Sequence, residues 1–129
     1  RGNPRTLDWL QASYDIGYQV ITMDEYNKLG HEKCSKMILD KLGDNPIYVT
    51  FDLDCLDPAV APGVANIESA FRGFNMDEAR KLLQSLKGRN VIGGDVACLM
   101  PTKDSPNNIT SMVAAAVMFE IICLISINL

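Results

Sequence analysis

The residues best placed to do chemistry are the aspartates of Phe51-Asp52-Leu53-Asp54-Cys55-Leu56-Asp57-Pro58. Asp52 and Asp54 stand two apart at the end of Ile47-Tyr48-Val49-Thr50-Phe51, the most strand-like run in the chain. Period-two alternation predicts both side chains on one face, about 7 Å apart along the strand. The carboxyl edge of a parallel sheet is where ligands bind in open α/β folds. Two carboxylates brought together there repel one another and are costly to ionise. A divalent cation between them relieves both problems, and an all-carboxylate half-site favours a hard ion, Mn²⁺ or Mg²⁺. The competing reading is that one aspartate caps a turn while the other is solvated. The D-x-D spacing alone leaves the two open.

The elements that must position this pair are legible in outline. Leu7 to Ile16 is predicted to be a short helix, with Thr6 as its N-cap, ended by Gly17. The β-branched run Tyr18-Gln19-Val20-Ile21-Thr22 is predicted to be a strand. Asp24 to Leu42 reads as helix, divided by Gly30 and closed by Gly43. Residues 47 to 51 are apolar on both faces, as in a central parallel strand, and Asp57-Pro58 stops the run. A loop rich in Pro, Gly and Ala follows, from 59 to 74. Asn75 reads as an N-cap with Glu78 as its capping-box partner. Beyond it, Met76, Ala79, Leu82, Leu83 and Leu86 form one apolar face, and Lys87-Gly88 ends the helix. Val91 to Ala97 is a buried strand, Pro101 to Asn108 a polar loop, and Ile109 to Ile127 a long apolar helix. Alternation of this kind implies parallel strands with right-handed crossovers. Three predicted strands leave two exposed edges, so further strands outside this chain are expected to complete the sheet.

Composition excludes several classes. With 129 residues, 47% hydrophobic and 22% charged, the chain is globular in character. A net charge of −4 offers no basic face for nucleic acid and no cluster for a membrane surface. The apolar run Met112 to Ile127 contains Glu120 and is short for a membrane span. Cys34, Cys55, Cys98 and Cys123 form no C-x-x-C pair. They fit reduced thiols, so a cytoplasmic location is expected. No signal peptide is visible, and the chain lacks an initiator Met. It is therefore expected to begin inside a longer reading frame.

The stretch Thr50 to Gly63, Thr-Phe-Asp-Leu-Asp-Cys-Leu-Asp-Pro-Ala-Val-Ala-Pro-Gly, closely resembles the signature of the ureohydrolases, the family of arginase and agmatinase. Arg1-Gly2 through Thr22, Gly94-Asp95-Val96 and Thr110 to Glu120 resemble further segments of that family. The likeness implies a three-layer α/β/α sandwich on a parallel sheet, incomplete here, with residues 1–129 as the C-terminal portion of one domain. It also implies two Mn²⁺ ions and water attack on a guanidinium carbon, releasing urea. By the motif match, Asp52 would bridge both metals, Asp54 would bind one, and Asp57 would be structural. A small guanidino substrate and a homo-oligomer, trimer or hexamer, are implied as well, without nucleic acid or membrane.

The sequence departs from the family at three places. The upstream Gly-Asp-His and Asp-Ala-His-x-Asp ligand motifs are missing, and the one histidine, His31, reads as a solvated helix residue. The 129 residues alone are therefore expected to be inactive. Cys98 occupies the position of a glutamate that pairs with the substrate guanidinium. A thiol lacks the carboxylate's two-pronged hydrogen bonding. Cys98 is thus expected on the substrate-pocket wall rather than on a metal, with a simple buried thiol as the plainer reading. The loop Gly63-Val64-Ala65-Asn66-Ile67-Glu68 keeps only the Gly and Glu of the family pattern. Two other functions stay in view. One is a non-catalytic, degenerate ureohydrolase fold. The other is a haloacid-dehalogenase-type phosphatase, which also places D-x-D after an apolar strand. Lys103 and Asp104 read as solvated loop charges.

Overall fold

The computed structural model describes residues 8–68 and 72–127. Thr6 and Leu7, the predicted cap and start of the first helix, lie outside that set. The described elements are α1 (Trp9–Asp15), α2 (Met23–Leu29), α3 (His31–Leu42), β1 (Ile47–Asp52), α4 (Met76–Gln84), β2 (Val91–Ala97) and α5 (Ile109–Ser126). Short 3₁₀ turns at Leu53–Cys55 and Pro101–Lys103 follow the two strands.

β1 and β2 pair in parallel, Ile47 opposite Val91 and Asp52 opposite Ala97, with one irregularity after Ile47. Helices cover one face of this pair. Ile47, Leu83, Leu86, Val91, Val117, Ile121 and Leu124 form the core there, with Ile38, Leu39, Val49 and Phe51 packed against it. The other face is bare among the described residues: Tyr48 is 62% and Ile92 61% exposed. Both strands were predicted to be covered on two sides, so the layer that the apolar outer residues call for is not among the described residues.

α5 is all but uniformly apolar, yet its buried residues Thr110, Val113, Val117, Ile121 and Leu124 make a single stripe. By length and composition it could cross a membrane. Here that stripe packs on β2 and α4, while Met112, Phe119 and Ile122 on the rest of the helix are 53–66% exposed. Gly94 makes that approach possible, since a Cβ there would lie 2.8 Å from Ile121 Cγ2 and 2.6 Å from the Val49 carbonyl.

The strand predicted over residues 18–22 is not formed. Thr22 instead caps α2: its hydroxyl accepts from the Glu25 N–H (3.2 Å), and the Glu25 carboxylate accepts from the Thr22 N–H (2.8 Å). β-branched composition there competes with a complete capping box, and no neighbouring strand is present among the described residues to reward extension. Gly30 divides the second helical stretch as expected, with φ +81 between α2 and α3. The Asn75–Glu78 capping box of α4 is present, but that helix ends at Gln84, ahead of Lys87-Gly88.

Asp104 is not a solvated loop charge. Asn108, at the start of α5, makes no capping bond. The Asp104 carboxylate reaches forward and accepts from the N–H groups of Thr110 (3.0 Å) and Ser111 (2.9 Å) and from the Ser111 hydroxyl. Desolvation pushes this carboxyl up, but the Ser111 and Thr110 donors outweigh it and hold it well below the usual range. A depressed folded-state pKa adds stability above the unfolded value of about 3.9, and that contribution is lost as pH falls through the folded value. Asp104→Ala is therefore expected to lower the melting temperature at pH 7, with the difference from wild type shrinking in strong acid. Thermal melts from pH 7 to pH 2 check this; a constant difference would contradict it.

Candidate metal centre

Four segments build the site. β1 delivers Asp52 to the carboxyl edge of the sheet and stops there. The next residues turn as a 3₁₀ helix, capped by Asp52 Oδ1, which accepts from the Asp54 N–H at 2.9 Å. Leu53 and Leu56 anchor this turn in a second apolar cluster at 0% and 2% exposure. Asp54 therefore meets Asp52 through a turn rather than by strand alternation, which corrects the extended geometry read from the D-x-D spacing.

β2 delivers the third residue. Cys98 follows its last position with φ +67, a left-handed backbone that costs a non-glycine residue about 1–2 kcal/mol. The strain is held by pairing with the loop after β1. The Ala65 N–H donates to the Cys98 carbonyl (3.1 Å), and the Met100 N–H to the Gly63 carbonyl (2.8 Å). Lys103, predicted to be solvated, donates to the Ala65 carbonyl from the other side. The Gly63 N–H in turn donates to the fully buried Thr110 hydroxyl, tying the loop to α5.

Ligand atoms of Asp52, Asp54 and Cys98 all lie within 4.8 Å of one another. Asp54 is 7% exposed, and its Oδ1 has no hydrogen-bond partner. Burial, and next the Asp52 charge, push the Asp54 carboxyl above its ordinary value, although hydrogen bonds from Asn66 work against this. A buried carboxylate oxygen without a donor, beside a second carboxylate, is an arrangement that a divalent cation would satisfy. The donor set fits a divalent ion. His31 is not part of it; it opens α3 with Nδ1 3.4 Å from the Ser35 hydroxyl. Asp57 accepts from the Ala59 N–H at 2.9 Å, stabilising the turn.

A cleft of about 300 Å³ opens beside the pair, and Met23, Asp52, Asp54, Glu68, Arg72 and Phe74 are among its lining residues. Arg72 carried no signal in the sequence. Asn66 stood out only as a departure from the family loop, and its role depends on a fold-back that spacing does not encode. Asp95 also faces away from the core, accepting from the Thr50 hydroxyl at 2.8 Å.

Comparison with known proteins places this geometry. The arginase family model matches residues 2–124. The agmatinase of Photorhabdus laumondii is 36% identical over 110 residues, 85% of this chain and 35% of that protein. The guanidinopropionase of Pseudomonas aeruginosa is 37% identical over 126 residues, covering 98% of this chain and 39% of the relative. Among solved structures, the proclavaminate amidino hydrolase of Streptomyces clavuligerus superposes with a TM-score of 0.82 at 32% identity, over 97% of this chain and 39% of that one. The chain thus spans less than two fifths of the length of these relatives, and its fold is arginase-like and incomplete.

Proposed function

The chain belongs to the arginase family, and on that footing we propose that it is the C-terminal part of a manganese-dependent amidino hydrolase that releases urea from a small guanidino compound. The observation that carries the proposal is the unpartnered Asp54 Oδ1 beside Asp52. A phosphatase of the haloacid-dehalogenase type has no support in the family match. The names of the relatives, agmatinase, guanidinopropionase and amidino hydrolase, support a linear guanidino substrate.

Asp52 and Asp54 would hold the metal. When bound, it supplies Lewis-acid activation of water at neutral pH. The rest of the work falls to this chain's own residues. Asn66 would steady the Asp54 carboxylate, whose pKa its hydrogen bonds lower. The paired segments around Gly63 and Cys98 hold the sheet edge closed. Glu68 and Arg72 line the cleft where a substrate would lie. The same reading carries the homo-oligomer that the family resemblance implies and the cytoplasmic setting expected from the scattered cysteines.

Among the described residues, one cluster of three possible ligands is present, and the 129 residues contain a single histidine. The purified 129-residue chain is therefore expected to release no urea from agmatine, arginine or 4-guanidinobutyrate with excess Mn²⁺. A colorimetric urea assay checks it. Sustained metal-dependent turnover would mean that these donors suffice and that the non-catalytic alternative is excluded.

A further inference from the structure

We infer that Cys98 is a third donor to the ion held by Asp52 and Asp54, making this side of the site a mixed oxygen–sulfur set that binds thiophilic divalent cations more tightly than two carboxylates alone would. The inference rests on the reading that the two aspartates bind metal, and goes beyond it in assigning the thiol and the ion. It is also a different place for Cys98 from the pocket wall expected above.

Two observations carry it. The Cys98 sulfur lies with both carboxylates inside a 4.8 Å span. Zinc bonds of about 2.3 Å to sulfur and 2.0–2.2 Å to oxygen fit that span. Asp54, at 7% exposure, is more than nine-tenths buried and leaves Oδ1 without a donor. Coordination would replace the thiol proton, released to solvent, with the metal; no electrons are transferred. Thiolate ligation selects soft and borderline ions, whereas carboxylates alone favour Mg²⁺ and Mn²⁺. Replacement of a carboxylate by a thiol at this edge would thus shift metal choice as well as substrate contact.

The test uses Cd²⁺ and Mn²⁺ as probes, read by chelator competition and by the ultraviolet sulfur-to-cadmium charge-transfer band. Wild-type protein should develop the band with the first equivalent of Cd²⁺. Cys98→Ser should lose it and bind Cd²⁺ about tenfold or more weakly, with Mn²⁺ affinity changed less than about threefold. Cys98→Ala repeats the measurement without a hydroxyl, and circular dichroism reports whether each variant is folded. The other three cysteines are unchanged, so loss of the band belongs to Cys98. If Cys98→Ser keeps both band and affinity while Asp54→Asn loses Mn²⁺, the thiol inference is overturned and the carboxylate site stands. If Asp54→Asn keeps full Mn²⁺ affinity, the site reading fails and this inference falls with it.

Discussion

Asp54→Asn is expected to abolish Mn²⁺ binding and, in the presence of chelator, to raise the melting temperature of the same protein. The two effects have one cause. Asp54 is buried next to Asp52 with an unpartnered oxygen, so its charge is costly until a cation arrives. An amide removes that charge, and its NH₂ can donate to the Asp52 carboxylate, turning repulsion into a hydrogen bond. The metal loses a charged ligand, for which a drop of at least about 100-fold in affinity, roughly 2.7 kcal/mol, is expected. Calorimetric titration and melts with and without EDTA measure both. Asp57→Asn serves as the contrast, since its carboxylate is spent on a turn. A variant that is both less stable without metal and still able to bind Mn²⁺ would show that Asp54 is an ordinary structural residue.

Gly73→Ala should be the most damaging single methyl in the chain. A Cβ at residue 73 would stand 2.4 Å from the Asp57 nitrogen and the Leu56 carbonyl carbon, and 2.6 Å from the Leu56 oxygen. All three atoms are backbone, so no side chain can swing aside. They belong to the seam where Asp57 N–H donates to the Phe74 carbonyl and Phe74 N–H to the Cys55 carbonyl. That seam lies next to the turn carrying Asp54. Overpacking of this kind costs about 3 kcal/mol or more, and a melting temperature lower by about 10 °C is expected. Mn²⁺ affinity should fall with it, because the turn must shift away from Asp52. Thermal denaturation decides the matter; a change within a degree or two would mean that the loop yields freely.

The pattern of success in reading the sequence follows the range of the interactions. β1, β2 and the start of α4 are specified by neighbouring residues, an apolar run or an Asn75–Glu78 pair, and they are found where the sequence puts them. Tyr18 to Thr22 misleads because strand composition is only half a strand; the other half is a partner, and Thr22 had a better local use. Asp52 and Asp54 were legible as a pair because they are close in sequence. Their meeting through a turn was not, since Leu53 and Leu56 are apolar for the sake of a cluster formed by distant residues. Asn66 and the left-handed Cys98 were hidden for the same reason: both depend on the pairing of Gly63 and Ala65 with Cys98 and Met100. Asp104 was misread because its helix begins five residues later, beyond the reach of a normal N-cap pattern.

The parallel pairing of Asp52 with Ala97 also sets the order of events as the chain folds. The two strands are joined by the whole of α4 and a long loop, so bringing their carboxyl ends together carries the closure entropy of a large ring. Contacts of such high contact order form late, after local helices have already appeared. An unfolded chain accordingly holds no nascent site, since its carboxylates and thiol sit on segments that have not yet met. An ion bound there would stabilise the finished fold and slow its unfolding rather than speed its formation.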